Sequence, residues 1–419
     1  MEVDLPRDTD SSTISGPWAS LSYSGFRLIF LLSLFATTAQ QMRQTQNLYQ
    51  VYELSGSALQ LGLTGLAQGI PIFALGLFAG TLADFLDRRK LLLITICGNC
   101  LVAVVQGILT LRGAIQVWHI LVGTALTSGL NIVLNPTRMS LISRLVPRSH
   151  LTNAVSLNSS VSQSSFFFGP MAAGLTLAAL SSGNAYLVNA LFYVPALIAI
   201  MRLNPPAVTE VRERFSLVSI LGGVKFLFSE PIVFAMVMLD FTIVGLGYYR
   251  PLLPIFAKDI LNVGPTGYGM LSSAPAVGGV SGTLIILFCG DIERKGQLAL
   301  WSFLSYALAV GVFAITTRMP LSLLLLGVLG LANSLQAVMR QTSFHLLTPD
   351  HVRGRAFAVF NMFSQGANSV GAAEIGFVAS ILGAPGALIF GGVISAMLTL
   401  GCWGMMPGLR KFGVDMRRH

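Results

Sequence analysis

The sequence predicts an all-α polytopic membrane protein whose twelve transmembrane helices form two six-helix, pseudo-symmetric bundles. Composition is the first reason. Of 419 residues, 53% are hydrophobic and only 10% charged, with a mean hydropathy of +0.72, whereas soluble domains carry about 25% charged residues. The second reason is a run of apolar stretches near the ~20 residues that cross a hydrocarbon core ~30 Å thick. The third is an internal repeat, traced below. With 26 Lys+Arg against 17 Asp+Glu the chain has a net charge of +9. So few charges cannot clothe both a water-facing surface and a phosphate-binding one, which argues against nucleic acid as a partner. No alternating ten-residue pattern points to a β-barrel.

The elements follow in order. Residues 1–25 read as a disordered cytoplasmic tail, without a charged-then-apolar signal ahead of a cleavage site. The N-terminal bundle, 26–203, holds spans at 26–52, 58–83, 91–112, 116–138, 153–180 and 184–203. The first span carries Gln40-Gln-Met-Arg-Gln-Thr-Gln-Asn47, in which Gln40, Arg43, Gln44 and Asn47 fall at i, i+3, i+4 and i+7 on one stripe. Such groups are costly against lipid and face a bundle interior or a water-filled cavity; the blander reading is the wet outer mouth of the helix. The third span contains Cys97-Gly-Asn-Cys100, but four scattered thiols form no disulfide framework or zinc site. The fourth carries a second polar stripe, Thr124, Ser128, Asn131 and Asn135, and the fifth contains Gly169-Pro170 and Gly174. Small residues there permit close helix approach.

Residues 204–230 open with Asn204-Pro205-Pro206 and turn amphipathic, reading as a cytoplasmic linker. The C-terminal bundle, 231–407, has spans at 231–257, 264–290, 297–317, 319–341, 356–382 and 386–407, followed by a basic tail, 408–419. Asp240 lies within the seventh span with Tyr248 and Arg250 towards its outer end, Asn333 and Gln336 lie in the tenth, and Glu374 in the eleventh. Burial raises a carboxyl pKa and a nearby Arg lowers it, so Asp240 and Glu374 are candidates for carrying a proton. A static pair between Arg43 and one of these acids is the alternative. The loops that hold Arg88-Arg89-Lys90, Arg294-Lys295, Arg353 and Arg355 all fall on one face, against only Arg112, Arg250, Lys258 and Arg318 on the other. Positive loops stay inside, so both termini are expected in the cytoplasm.

The repeat pairs Asn131 with Asn333, Arg138 with Arg340, Pro147 with Pro349, Gly169 with Gly371 and Gly174 with Gly376. At a slightly different offset, Asp84 to Lys90 aligns with Asp291 to Lys295. Parallel six-span repeats place a transport site near the midplane between the halves. Over nearly its whole length the chain resembles the major facilitator superfamily. The carrying residues are Gly80-Thr-Leu-Ala-Asp84-Phe-Leu-Asp-Arg88-Arg89-Lys90, with Asp87 where a glycine is common. Phe26-Arg27 and Arg353-Gly354-Arg355 look like the branch of enterobactin-type siderophore exporters and macrolide efflux pumps. The resemblance implies a cytoplasmic latch built from Gly80, Asp84, Arg88 and Arg89 with Asp291 and Arg294. It also implies a cavity lined by the first span, and an antiporter-like packing motif at Gly169, Pro170 and Gly174.

The expected function is a secondary active transporter, not an enzyme: a monomeric, proton-coupled exporter of a mid-sized amphipathic compound, a siderophore or drug, from a bacterial inner membrane. No nucleotide-binding loop, metal-ligand pair or cofactor motif is present in the sequence. The rivals are a lipid or lysophospholipid translocator of the same fold and a transport-inactive scaffold. A polar cavity favours the exporter, an apolar lateral opening the lipid carrier, and a dry centre the scaffold.

Overall fold

The computed structural model describes residues 16–85, 87–203, 230–290 and 294–411, with the side chains of 77–85, 231, 232, 244, 350–355, 358, 361–363, 365, 409 and 411 excepted. The expected linker, most of the tails, Asp291 and the side chain of Asp84 therefore lie outside the described residues. The N-terminal half comprises α1 (Ser24–Ser55), α2 (Ala58–Phe85), α3 (Arg88–Leu111), α4 (Val117–Ile132), α5 (Leu134–Leu145), α6 (Leu151–Ala179) and α7 (Ser182–Arg202). The C-terminal half comprises α8 (Pro231–Leu246), α9 (Gly264–Cys289), α10 (Lys295–Ala314), α11 (Met319–Leu347) and α12 (Asp350–Met405). Eight stretches among the described residues are long and apolar enough to cross a bilayer. Helices α1 and α6 carry polar stripes that lower their hydropathy, and α8 is only 16 residues long.

Four spans depart from the uniform helices expected. The fourth is α4 followed by α5, broken at Val133, where Pro136 lacks the N–H that would bond back to residue 132. The seventh stops at Leu246. The chain then passes through a 3₁₀ turn at Arg250–Leu252 and a π turn at Phe256–Ile260, because Pro251 and Pro254 interrupt the backbone ladder. The eleventh and twelfth run together as α12, separated only by a kink at Gly383, whose φ of 72° favours glycine. Residues 16–25, expected to be a disordered tail, are ordered. Ala19–Ser22 forms a 3₁₀ turn, and the Ser20 hydroxyl and amide both donate to Asn153 Oδ1, at 2.6 and 3.0 Å.

Each half has its own apolar core. Phe26, Ile29, Leu92, Ile96, Tyr193 and Ile200 join α1, α3 and α7; Leu239, Phe256, Phe303, Phe313, Leu329 and Leu388 join the C-terminal helices. Leu101, Leu191, Leu324 and Ile381 point outward and are more than half exposed, the belt that lipid covers.

The halves meet along two glycine seams. A Cβ on Gly174 of α6 would lie 2.6 Å from Gly269 Cα of α9, and one on Gly62 of α2 would lie 2.9 Å from Gly376 Cα of α12. Gly174 and Gly376 are repeat mates, and α2 and α9 hold equivalent places in their halves, so the two seams are one contact made twice. Hydrogen bonds between the halves gather towards the end that carries the α1–α2 connection. Tyr52 of α1 donates to Asp259 on the π turn, and Tyr268 donates to the Thr45 carbonyl at 3.1 Å. Tyr49 packs on Tyr268 with ring centroids 5.5 Å apart, and the Lys258 ammonium sits 5.9 Å from the Tyr52 ring centroid.

Candidate functional site

Behind this sealed end lies a central cavity of roughly 930 Å³, counting its open mouth. Helix α1 supplies most of its polarity. The polar run divides by helical phase: Gln40, Arg43, Gln44 and Asn47 line the cavity, while Gln46 and Gln50 turn into the N-terminal bundle. There Gln46 Nε2 donates to the Ala185 carbonyl at 3.0 Å and Gln50 Nε2 to Thr110 Oγ1 at 2.9 Å. One run of polar residues thus makes both the binding surface and the interhelical bonds, each worth about 0.6 kcal/mol.

Arg43 is 4% exposed. Its Nη2 donates to Asn99 Oδ1 at 3.0 Å, and Asn99 Nδ2 donates to Asn131 Oδ1 at 3.1 Å, so α1, α3 and α4 are tied in a chain. Its Nη1 has no partner. Asn47 Nδ2 donates to Thr124 Oγ1 at 3.1 Å, and Asn47 Oδ1 accepts from the Tyr186 hydroxyl at 2.8 Å. Ser128 donates to the Gln68 carbonyl at 2.7 Å. The opposite wall carries Tyr248, Arg250, Tyr268 and Ser272, with Arg250 stacked 5.5 Å from the Phe166 ring centroid. These groups can bind and orient a polar solute. They form no nucleophile–base pair.

Eight of the twelve residues expected at a cavity line this one: Gln40, Arg43, Gln44, Asn47, Thr124, Ser128, Asn131 and Tyr248. The other four do not. Asn135 leaves the stripe because the chain breaks at Val133, and it accepts from Arg138 Nη2 at 2.9 Å. Gln336 is buried and donates to Asn333 Oδ1 at 3.1 Å. Both sit on α11, which packs through Gly330 against Pro275 of α9. Asp240 pairs with Arg340, not with Arg43 as one reading expected. The Arg340 guanidinium also lies 5.2 Å from the Phe360 ring centroid. Glu374 is half-buried, one carboxyl oxygen unpartnered, and does not line the cavity.

Several lining residues escaped sequence reasoning: Thr64 and Gln68 of α2, and Tyr268 and Ser272 of α9. Each pair has i, i+4 spacing, the available signal. Asn99 was passed over inside a motif discounted for its cysteines. Arg250, read only as lying towards the outer end of the seventh span, lines the cavity as well.

At the expected latch, Asp87 Oδ1 accepts from the Arg89 and Lys90 amides at 2.8 and 3.2 Å, capping α3. Arg89 donates to the Ile200 carbonyl at 3.2 Å and to that of Met201, closing the end of α7 within its own half. Arg88 is buried, Arg294 is exposed just before α10, and Gly80 lies in α2. Gly169 packs on α1, where its added Cβ would meet Gln41 Cβ at 2.5 Å, and Pro170 lines the cavity.

Similarity to known proteins follows the fold. The multidrug efflux pump Tap of Mycolicibacterium fortuitum is 24% identical over 80% of this chain and 84% of its own length. The enterobactin exporter EntS of Shigella boydii is 25% identical over 86% of both chains. The crystal structure of the nucleoside transporter NupG superposes with a TM-score of 0.73 at 15% identity, over 91% of this chain and 99% of that one. This similarity is to membrane transporters, not enzymes. Residues 15–415 match the transmembrane secretion effector family, and the chain belongs to that family of the major facilitator superfamily.

Proposed function

We propose that this protein is a proton-coupled exporter that carries a mid-sized amphipathic compound, such as a siderophore or drug, by alternating access. The observation that carries the reading is a polar cavity between two pseudo-symmetric bundles, sealed at one end by Tyr52–Asp259 and Tyr268–Thr45. Its lining of amides, hydroxyls and guanidinia suits a polar solute better than a lipid tail. The names of Tap and EntS, an efflux pump and an exporter, support the outward direction. With the basic loops in the cytoplasm, the sealed end is extracellular and the conformation faces the cytoplasm of a bacterial inner membrane.

In this scheme Asp240 and Glu374 are the proton carriers. Protonation of Asp240 would release Arg340 and loosen α8 from α11, while the Gly80–Arg89 segment with Asp291 and Arg294 latches the cytoplasmic end in the alternate state. A monomer is sufficient, since both seams and the cavity are made within one chain. The test is a screen of siderophores and drugs on purified protein in liposomes with an imposed pH gradient. Uptake that collapses when nigericin abolishes the gradient is expected. Equal uptake with and without the gradient would remove proton coupling, and no transported compound would remove the exporter reading.

A further inference from the structure

Arg43 is a buried cation inside a membrane protein with one nitrogen unsatisfied. Ionised groups in that position are expensive and are normally paired. Among the described residues no carboxylate reaches it: Asp240 is taken by Arg340, Asp259 by Tyr52, and Glu374 is off the cavity wall. Asn99 fixes its guanidinium, leaving Nη1 of this cavity-lining side chain unpartnered. Arg250 brings a second cation to the opposite wall, and the described lining contains no Asp or Glu at all. The repeat gives no counterpart, since residue 245, which matches position 43 at the repeat offset, is glycine.

Building on the proposed export function, we propose that the cavity is an organic-anion site: its substrate carries a carboxylate or comparable oxyanion that the Arg43 guanidinium attracts and pairs with. Gln40, Gln44 and Asn131 line the same cavity as Arg43, and the rings of Tyr248 and Tyr268, also in its lining, offer an apolar face for the rest of the molecule. Positive charge on both walls disfavours cationic amphiphiles, so the site selects by charge as well as by size.

The experiment compares three fluorescent probes that share one ring system and differ in charge. Dansylglycine is anionic, its amide is neutral, and dansylcadaverine is cationic. Each is titrated against the full-length protein in nanodiscs. Dansylglycine is expected to bind at least ten-fold more tightly than the amide and the cation more weakly still. Arg43→Gln should bring dansylglycine to within two-fold of the amide, and Arg43→Lys, which keeps the charge, should retain part of the preference. Equal binding of all three probes, blocked in each case by the cavity-filling Ser128→Trp, would overturn the anion assignment while leaving the binding cavity intact. Tighter binding of dansylcadaverine, an unchanged preference in Arg43→Gln, or no dansylglycine binding would overturn it as well. The liposome screen then judges the export reading separately.

Discussion

Replacing Gly174 by alanine tests whether the glycine seams hold the sealed conformation. The added methyl would sit 2.6 Å from Gly269 Cα, 2.7 Å from the Pro265 carbonyl oxygen and 2.9 Å from Gly269 N. All three neighbours are backbone atoms, so no side chain can rotate away, and α6 and α9 must part by about 1 Å to restore contact at 3.5–4.0 Å. Overpacking of this kind costs about 1–3 kcal/mol. Applied to the sealed conformation alone, that cost shifts the equilibrium towards opening about 5- to 150-fold, at 1.4 kcal/mol per factor of ten. Gly62→Ala meets Gly376 Cα at 2.9 Å and two carbonyl oxygens at 3.0 and 3.1 Å, and should act in the same direction more weakly. The assay is water-soluble maleimide labelling of Ala58→Cys, a small residue of α2 packed on the C-terminal core, after replacing the four free thiols Cys97, Cys100, Cys289 and Cys402. Gly401→Ala, with nothing within 4 Å of its Cβ, is the control and should leave the rate unchanged. If Gly174→Ala labels at the control rate, the seams are not what holds the end shut.

Two further outcomes are expected. Asp240→Asn leaves the Arg340 cation buried and uncompensated, a loss of about 3–5 kcal/mol. Thermal unfolding in nanodiscs should show it, with partial recovery in Asp240→Asn/Arg340→Gln; a single variant as stable as wild type contradicts the pairing. Tyr52→Phe removes a hydrogen bond to a carboxylate at the seal, worth about 1.5–3 kcal/mol. It should speed Ala58→Cys labelling at least ten-fold, and an unchanged rate would show that the bond does not restrain opening.

Much of the architecture was legible because lipid enforces it. An apolar run long enough to span must be helical, and a polar stripe on such a helix must turn inward, so the α1 and α4 stripes could be assigned to a cavity before any coordinates. What resisted was pairing across helices. Nothing in the apolar surroundings of Asp240 names Arg340, because partner choice depends on how α8 and α11 are rotated against each other. The repeat held an unused clue. Arg138 is the mate of Arg340 and bonds Thr37 Oγ1 at 3.2 Å, beside Thr38, the position that mates with Asp240, so the first half already pointed each arginine at the opening helix of its own bundle. Asn135 and Asn333 failed for a different reason. Helical phase was extrapolated through a break at Val133 in one case, and in the other symmetry was assumed to extend from backbone to cavity lining.

The twin glycine seams have a mechanical meaning. At Gly174–Gly269 and Gly62–Gly376 the halves touch through bare backbone, while the Tyr268–Thr45 and Ser273–Phe167 hydrogen bonds flank the first of these contacts, so the glycines themselves can roll as a pair of gears does at the pitch line. A fulcrum of this kind offers ionic strength no grip. If the halves rock as proposed, resistance at these contacts would come from close van der Waals packing, and chain length and lateral pressure of the host bilayer would be the expected control on the rate.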